Sequence, residues 1–207
     1  MDSSFYLAVK RGLDVIGATI GLLLTAPLWI CGAAAVYLSL GGPVLYPARR
    51  PGRHGRPFAM FKLRTMREPV PGEARLASDG ARMTRVGKFL RSTSIDELPS
   101  LFNVLRGDMS LVGPRPLLTE YLERYTPEQA RRHEVKPGLT GWAQIHGRNA
   151  VDWPQRLALD VWYVDHRSLG LDLRILLRTV GLVLRRRGIQ AAGQATMGEF
   201  KGSDRAG

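Results

Sequence analysis

One cysteine, Cys31, occurs in 207 residues, which excludes an internal disulfide framework and a cysteine-ligated zinc site. The four histidines, His54, His133, His146 and His166, show no metal-ligand spacing. Neither Gly-x-x-x-x-Gly-Lys-Ser/Thr nor Gly-x-Gly-x-x-Gly is present, so a nucleotide would have to be held without those phosphate-cradling loops. Aromatic residues are scarce, at 8%, and they do not alternate with the arginines as a stacking platform for single-stranded nucleic acid requires. Acidic residues are outnumbered, 18 against 30 Lys and Arg, giving a net charge of +12. That excess points to a polyanionic partner: nucleic acid, anionic lipid or a phosphorylated substrate. No internal repeat is present. The length suits one domain with a real core and one appended element.

What the chain does have is a long apolar run. Leu13 to Leu40 holds one charge, Asp14. As a helix it would be ~42 Å long, more than the ~30 Å of a bilayer's hydrocarbon core. A single span is the simple reading. Pro27 argues against it, because a mid-helix proline kinks or breaks a helix. So does basic charge on both sides, Lys10 and Arg11 before and Arg49, Arg50, Arg53 and Arg56 after, since a span should be asymmetric. The expectation is a re-entrant helix hairpin broken near Pro27. Ala33-Ala34-Ala35 resembles a signal-peptide cleavage site, but the apolar part before it is longer than the usual ~7–15 residues. The predicted division is a membrane-inserted segment, 1–43, a catalytic domain, 44–187, and a flexible C-terminal tail, 188–207, rich in Gly, Ala and Gln.

Gly41-Gly42-Pro43 carries turn chemistry. Val44-Leu45-Tyr46 and the alternating Pro57-Phe58-Ala59-Met60-Phe61-Lys62-Leu63-Arg64 read as strands around a basic loop, Arg49 to Arg56. Residues 68–83 read as a mobile loop. Helical periodicity returns at Leu98–Leu105, in Leu117–Val135 with a break around Pro127, at Trp153–Tyr163 and at Leu171–Leu184. The last places Leu173, Leu176, Leu177, Val180 and Leu184 on one face, bordered by Arg174, Arg178 and Arg185 to Arg187. That pattern fits either a helix in a membrane interface or a core-facing helix with a basic end. The fold class is α/β and mostly helical, with a compact catalytic domain, a small sheet and interfacial amphipathic helices.

Chemistry concentrates at Ser94-Ile95-Asp96-Glu97-Leu98-Pro99 and Val112-Gly113-Pro114-Arg115-Pro116. Ser94 and Glu97 alone read as a capping box. Pro99 does not fit that reading. In a helix starting at Ser94 it would free the Ile95 carbonyl, a second oxygen ligand beside Asp96 for Mg²⁺. Neighbouring residues on a helix point ~100° apart, so Asp96 and Glu97 are expected to have different roles. Arg115, held between two prolines, presents a guanidinium from a stiff backbone, suited to phosphate. Lys62 and Arg64, on one face of the second strand, and Arg91, five residues before Asp96, are the other cationic candidates.

Five segments together resemble the bacterial sugar transferase family, the small monotopic phosphoglycosyl transferases. They are Lys10-Arg11-x-x-Asp14, Lys62-Leu63-Arg64-Thr65-Met66, Asp96-Glu97-Leu98-Pro99, Leu111-Val112-Gly113-Pro114-Arg115-Pro116 and Lys136-Pro137-Gly138-Leu139-Thr140-Gly141-Trp142-Ala143-Gln144. The resemblance covers roughly residues 8 to 187. Ala26-Pro27 stands where the family often has Ser-Pro, with a hydroxyl only at Thr25.

The resemblance implies an enzyme on the cytoplasmic face of the bacterial inner membrane. It would move a sugar-1-phosphate from a UDP-sugar to polyprenyl (undecaprenyl) phosphate and release UMP, the first step of cell-surface glycoconjugate assembly. It further implies Asp96 as nucleophile in a ping-pong reaction and as a ligand to Mg²⁺, with Glu97 as its partner. Lys62, Arg64, Arg91 and Arg115 correspond to phosphate-binding positions. Membrane phospholipid is an expected partner, nucleic acid is not, and a homodimer is left open. Two rivals share some of these features: a Mg²⁺-dependent membrane phosphohydrolase and a membrane-tethered nucleic-acid binder. The sugar and the roles of Trp142 and Gln144 are not readable.

Overall fold

The computed structural model describes residues 3–68, 79–146, 151–184 and 199–202. Its first element, α1, spans Ser3–Leu40 with Pro27 inside it. The helical backbone continues through the expected break as one long apolar element. Thr25 Oγ1 donates to the Gly21 carbonyl at 2.6 Å, so a hydroxyl does bond back to the helix one turn upstream, next to the proline. Gly41, at φ 68°, ends the helix, the left-handed cap that glycine adopts without a Cβ penalty.

One stripe of α1 is buried, through Tyr6, Asp14, Ala18, Leu22 and Val36. The opposite side exposes Leu13, Ile16, Ile20, Leu23, Leu24, Leu28 and Leu38. Cys31 is also exposed. Among the described residues α1 is the one helix long and apolar enough to cross a membrane by length and composition.

Two strands follow. β1 (Leu45–Pro51) and β2 (Pro57–Leu63) pair antiparallel from Leu45↔Leu63 to Pro51↔Pro57. β1 runs further than the three residues predicted, taking in Arg49 and Arg50. Pairing recruits them because burial alternates there, with Ala48 buried, Arg49 exposed and Arg50 half-buried. Most of the expected loop, 68–83, lies outside the described residues at 69–78; its end instead forms a helical turn, α2 (Asp79–Arg82), followed by α3 (Arg85–Thr93). A 3₁₀ turn, Ile95–Ser100, leads into α4 (Leu101–Arg106).

β3 (Ser110–Val112) and β4 (Gly138–Thr140) form a separate parallel pair. Between them the predicted helix over 117–135 is instead a 3₁₀ turn at Thr119–Arg124, α5 at Pro127–Ala130 and a second 3₁₀ turn at Arg131–His133. Pro127 starts α5 rather than breaking a helix, because a proline at the first helical position loses no hydrogen bond there. Thr126 and Gln129 cap that start reciprocally. The remaining helices are α6 (Trp142–Ile145), α7 (Trp153–His166) and α8 (Leu169–Leu184).

Core clusters join these pieces. Ala18 and Leu22 of α1 pack with Ala48, Met60, Leu101, Val104 and Met109. Val36 packs with Leu63 and Leu90. Val112, Tyr163 and Ile175 form a third cluster, and Tyr121, Leu157 and Phe200 a fourth. The predicted apolar face of α8 points mostly outward, and the helix packs inward through Ile175 instead. Ile175 is buried and Leu176 half-buried, while Leu173, Leu177 and Val180 stand exposed. Part of the expected flexible tail, 188–207, is held: Phe200 is 2% exposed. The rest of that tail lies outside the described residues.

Candidate active site

The site is built at the junction of α3 and α4. Thr84 caps α3, accepting from the Gly87 amide at 2.9 Å. α3 ends at Ser94, in the left-handed region at φ 59°. Ser94 makes no side-chain cap bond to the next turn, so the capping-box reading of Ser94 and Glu97 is wrong. A left-handed residue terminates one helix instead of opening another. The segment after it is 3₁₀, with i→i+3 bonds, so the amide that Pro99 lacks would have pointed at the Asp96 carbonyl. The expected free carbonyl therefore moves from Ile95 to Asp96 itself.

Asp96 and Glu97 part company here. Glu97 accepts from both guanidinium nitrogens of Arg115, Nη1 at 3.0 Å and Nη2, and from Lys62 Nζ at 2.8 Å. Burial pushes its pKa up, but the Arg115 guanidinium and the Lys62 ammonium outweigh burial and hold it far below the usual carboxylate range. Asp96 is 6% exposed, and among the described residues nothing is hydrogen-bonded or ion-paired to its carboxylate. Burial, then the Glu97 charge, raise its pKa to about 6 against the pull of Lys62, Arg91 and Arg115. A locked carboxylate that organises two cations thus stands beside a free one that faces them.

The frame around Arg115 is tight. Gly113, Gly138 and Gly141 let β3, β4 and the start of α6 approach closely. A Cβ on Gly138 would lie 2.1 Å from the Gly113 nitrogen, and one on Gly113 would lie 2.5 Å from the Lys136 carbonyl oxygen. From behind, Arg132 Nη2 donates to the Arg115 carbonyl at 2.7 Å. Arg132 is itself paired with Asp160 at 2.7 Å, both side chains nearly inaccessible.

Arg91 lies close enough to lower the pKa of Asp96, while its Nε donates to Thr65 Oγ1 at 3.1 Å. Arg64 is not brought to the carboxylates. Its guanidinium donates to the Leu40, Gly41 and Gly42 carbonyls, because a cation satisfies the last carbonyls of a helix and its negative dipole end. Alternation in β2 placed Lys62 and Arg64 on one face, but Arg64 lies just past the strand end.

Sequence reasoning missed Arg50 and Arg156. The pKa of each is depressed by burial and then by Arg115, that of Arg156 to about 10, so both crowd the same region. Alternating burial in β1 could have flagged Arg50; no local signal marks Arg156. The Lys10-Arg11-x-x-Asp14 segment serves as a clamp rather than a site. Lys10 pairs with Asp172 at 2.7 Å, Arg11 donates to the Val104 and Leu105 carbonyls, and Asp14 accepts from Ser110 Oγ and the Leu111 amide. Trp142 stacks on Trp162 at 4.6 Å, which is a packing role. Gln144 is buried with both side-chain polar atoms unpartnered among the described residues.

Among the described residues no cluster of three or more His, Cys, Asp and Glu side chains forms a metal cage. The unpaired oxygens of Asp96 nevertheless suit Mg²⁺, which binds through one or two carboxylates together with substrate phosphates and retained water.

The site thus combines a free buried carboxylate, a second carboxylate that locks an arginine and a lysine, and a long apolar helix packed behind both. The chain belongs to the bacterial sugar transferase family, which matches residues 5–186. It is 50% identical over 197 residues to the uncharacterized sugar transferase EpsL of Bacillus subtilis, covering 95% of this chain and 98% of the relative. It is 48% identical to the UDP-glucose:undecaprenyl-phosphate glucose-1-phosphate transferase of Caulobacter vibrioides, covering 84% of this chain and 69% of that one. Identity to the undecaprenyl-phosphate galactose phosphotransferase of Salmonella typhimurium is 41%, over 87% of this chain and 41% of the longer relative.

Proposed function

We propose that the protein transfers a sugar-1-phosphate from a UDP-sugar to undecaprenyl phosphate, in two displacements through Asp96. The relatives named for that reaction support the overall chemistry, and neither the hydrolase nor the nucleic-acid reading finds support among them. The observation that carries the mechanism is the contrast between Asp96 and Glu97. In the first displacement an Asp96 carboxylate oxygen attacks the phosphorus that bears the sugar. The bond to the bridging diphosphate oxygen breaks, and UMP leaves with that electron pair. An acyl phosphate remains on Asp96. In the second displacement a lipid phosphate oxygen attacks the same phosphorus, and Asp96 departs as a carboxylate.

Each step brings anion onto anion, so the reaction needs cations close by. Lys62 and Arg115 are held in place by Glu97, and Arg91 faces Asp96. Mg²⁺ bound by Asp96 and substrate phosphates would supply further neutralisation of the diphosphate. Asp96 at about 6 is ionised at neutral pH without a general base, so Glu97 acts through the cations it holds.

The same reading places the protein on the cytoplasmic membrane face with α1 entering and leaving by one side. Both ends of α1 are tied to one domain, Lys10 and Arg11 at the start and the Leu40 carbonyl at the end. A span would carry one end across the bilayer, away from those partners. The exposed stripe Leu173, Leu177 and Val180 of α8 suits contact with phospholipid.

The test of the chemistry is an intact mass after incubation with a panel of UDP-sugars and Mg²⁺, without lipid acceptor. A mass increase equal to one phospho-sugar, absent in Asp96→Asn, is expected. Full turnover by Asp96→Asn would remove the central role of that residue.

A further inference from the structure

A short piece of the C-terminal segment, residues 199–202, is docked against Tyr121, Arg124, Tyr125 and Trp153. The ring of Phe200 closes an aromatic box made by Tyr121, Tyr125 and Trp153, at centroid distances of 5.6, 5.6 and 5.4 Å. Its backbone is fastened on both sides. The Phe200 amide donates to the Tyr121 hydroxyl at 3.2 Å, and the Phe200 carbonyl accepts from Arg124 Nη1. Arg124 also pairs with Glu199 at 2.7 Å.

Two walls of this box carry arginines that reach the phosphate site. The Arg132 guanidinium lies 5.7 Å from the Tyr125 ring, and its Nη2 holds the Arg115 carbonyl at 2.7 Å. The Arg156 guanidinium lies 5.5 Å from the Trp153 ring, and it is near enough to Arg115 for the two charges to oppose each other. Through Arg132 the box is thus joined to the backbone of Arg115, whose guanidinium Glu97 grips.

We propose that residues 199–202 form a strap and that Phe200 is a positioning residue for substrate phosphate, acting through Tyr125–Arg132 and Trp153–Arg156 on Arg115. It touches neither substrate nor the reacting carboxylate. With the ring removed, Tyr125 and Trp153 lose the surface that fixes their planes. Arg132 and Arg156 then lose the faces they lie against, and Arg115 is less firmly set. Loss of the strap weakens the grip on the diphosphate and leaves the reactivity of Asp96 as it was. This inference rests on the UDP-sugar reading above.

The experiment uses the full chain in detergent, with UDP as the probe. UDP affinity is measured by calorimetry, and KM and kcat are measured with whichever UDP-sugar gives the phospho-sugar adduct. Phe200→Ala is expected to weaken UDP binding and raise the KM for UDP-sugar about tenfold, as coupling through packed side chains allows, with kcat within about twofold of wild type. Phe200→Tyr, which keeps the ring, should restore both. Arg124→Ala loosens the strap's backbone and uncovers one face of Tyr121 but keeps all four rings, so it should shift KM the same way, and it decides the matter where Phe200→Ala does not fold.

A role confined to folding would lower the melting temperature and the active fraction and leave KM and UDP affinity unchanged, which overturns the inference. Tighter UDP binding in Phe200→Ala would overturn it too. If wild type binds UDP and the variants bind it equally, the strap fails alone. If wild type does not bind UDP, the proposed reaction fails and the strap fails with it.

Discussion

At the scale of single residues, the decisive fact is that two adjacent carboxylates have opposite surroundings. Folding raises the pKa of Asp96 to about 6, so the native protein holds that proton more firmly than the unfolded chain does. The stability this gives is complete below about pH 4 and lost as pH rises through about 6. Asn at this position stays neutral throughout. At pH 7.5, Asp96→Asn should therefore be more stable than wild type by about 3 kcal/mol, or roughly 6–12 °C in melting temperature. At pH 4 the two should melt together, and thermal denaturation at both pH values checks this. The same proton governs reactivity, since only the carboxylate attacks. Adduct formation from UDP-sugar should be flat above pH 7 and fall about tenfold per unit well below 6, as expected for one essential ionised group. Rapid-quench mass spectrometry across pH measures it. His133 adds no inflection near neutrality, because burial and Arg132 push it down to about 4. That Asp96, Glu97 and Arg115 belong together was legible from proline chemistry and motif resemblance. Which carboxylate is free was not, since the partners of Glu97 lie 35 and 18 positions away in the chain.

At the scale of elements, the 3₁₀ turn and the glycine knot set the geometry. A capping box at Ser94 and Glu97 would start one helix at Ser94. A left-handed Ser94 and the missing amide of Pro99 make it a stop, a tight turn and a new helix. The Arg115 frame depends on close backbone approach between β3 and β4. Gly113→Ala would drive a methyl group against the Lys136 carbonyl. It is expected to destabilise the fold by roughly 1–3 kcal/mol, the range of overpacking a close contact. It should also raise the KM for UDP-sugar as Arg115 shifts. Chemical denaturation and steady-state kinetics on one preparation check both. Alternation and 3.6-residue periodicity made the β1–β2 pair, α7 and α8 legible. They misread 117–135, where apolar residues pack on tertiary neighbours without forming a continuous helix. They placed Leu173, Leu177 and Val180 of α8 on one face, as the structure has them, but did not tell that this face is exposed while Ile175 points inward.

At the scale of the whole molecule, α1 shares its core with the rest of the chain. Both core clusters next to the carboxylates are built partly from α1, through Ala18 and Leu22 in one and Val36 in the other. If α1 lodges in one leaflet, cysteines placed at Ser4 and at Gly42 in a Cys31→Ser background should both resist a membrane-impermeant maleimide applied to intact spheroplasts. Both should react after permeabilisation. Labelling of either one from outside would mean a span. The shared core also bears on what the molecule can survive. Shaving off α1 would not yield a soluble enzyme short of its tether; it would uncover Met60, Leu63, Leu90, Leu101 and Val104 at once, and the remainder should aggregate. Residence at the lipid surface and a folded catalytic centre are thus one inseparable property, and additional modules are best accommodated outside this unit, before α1 or after Gly202.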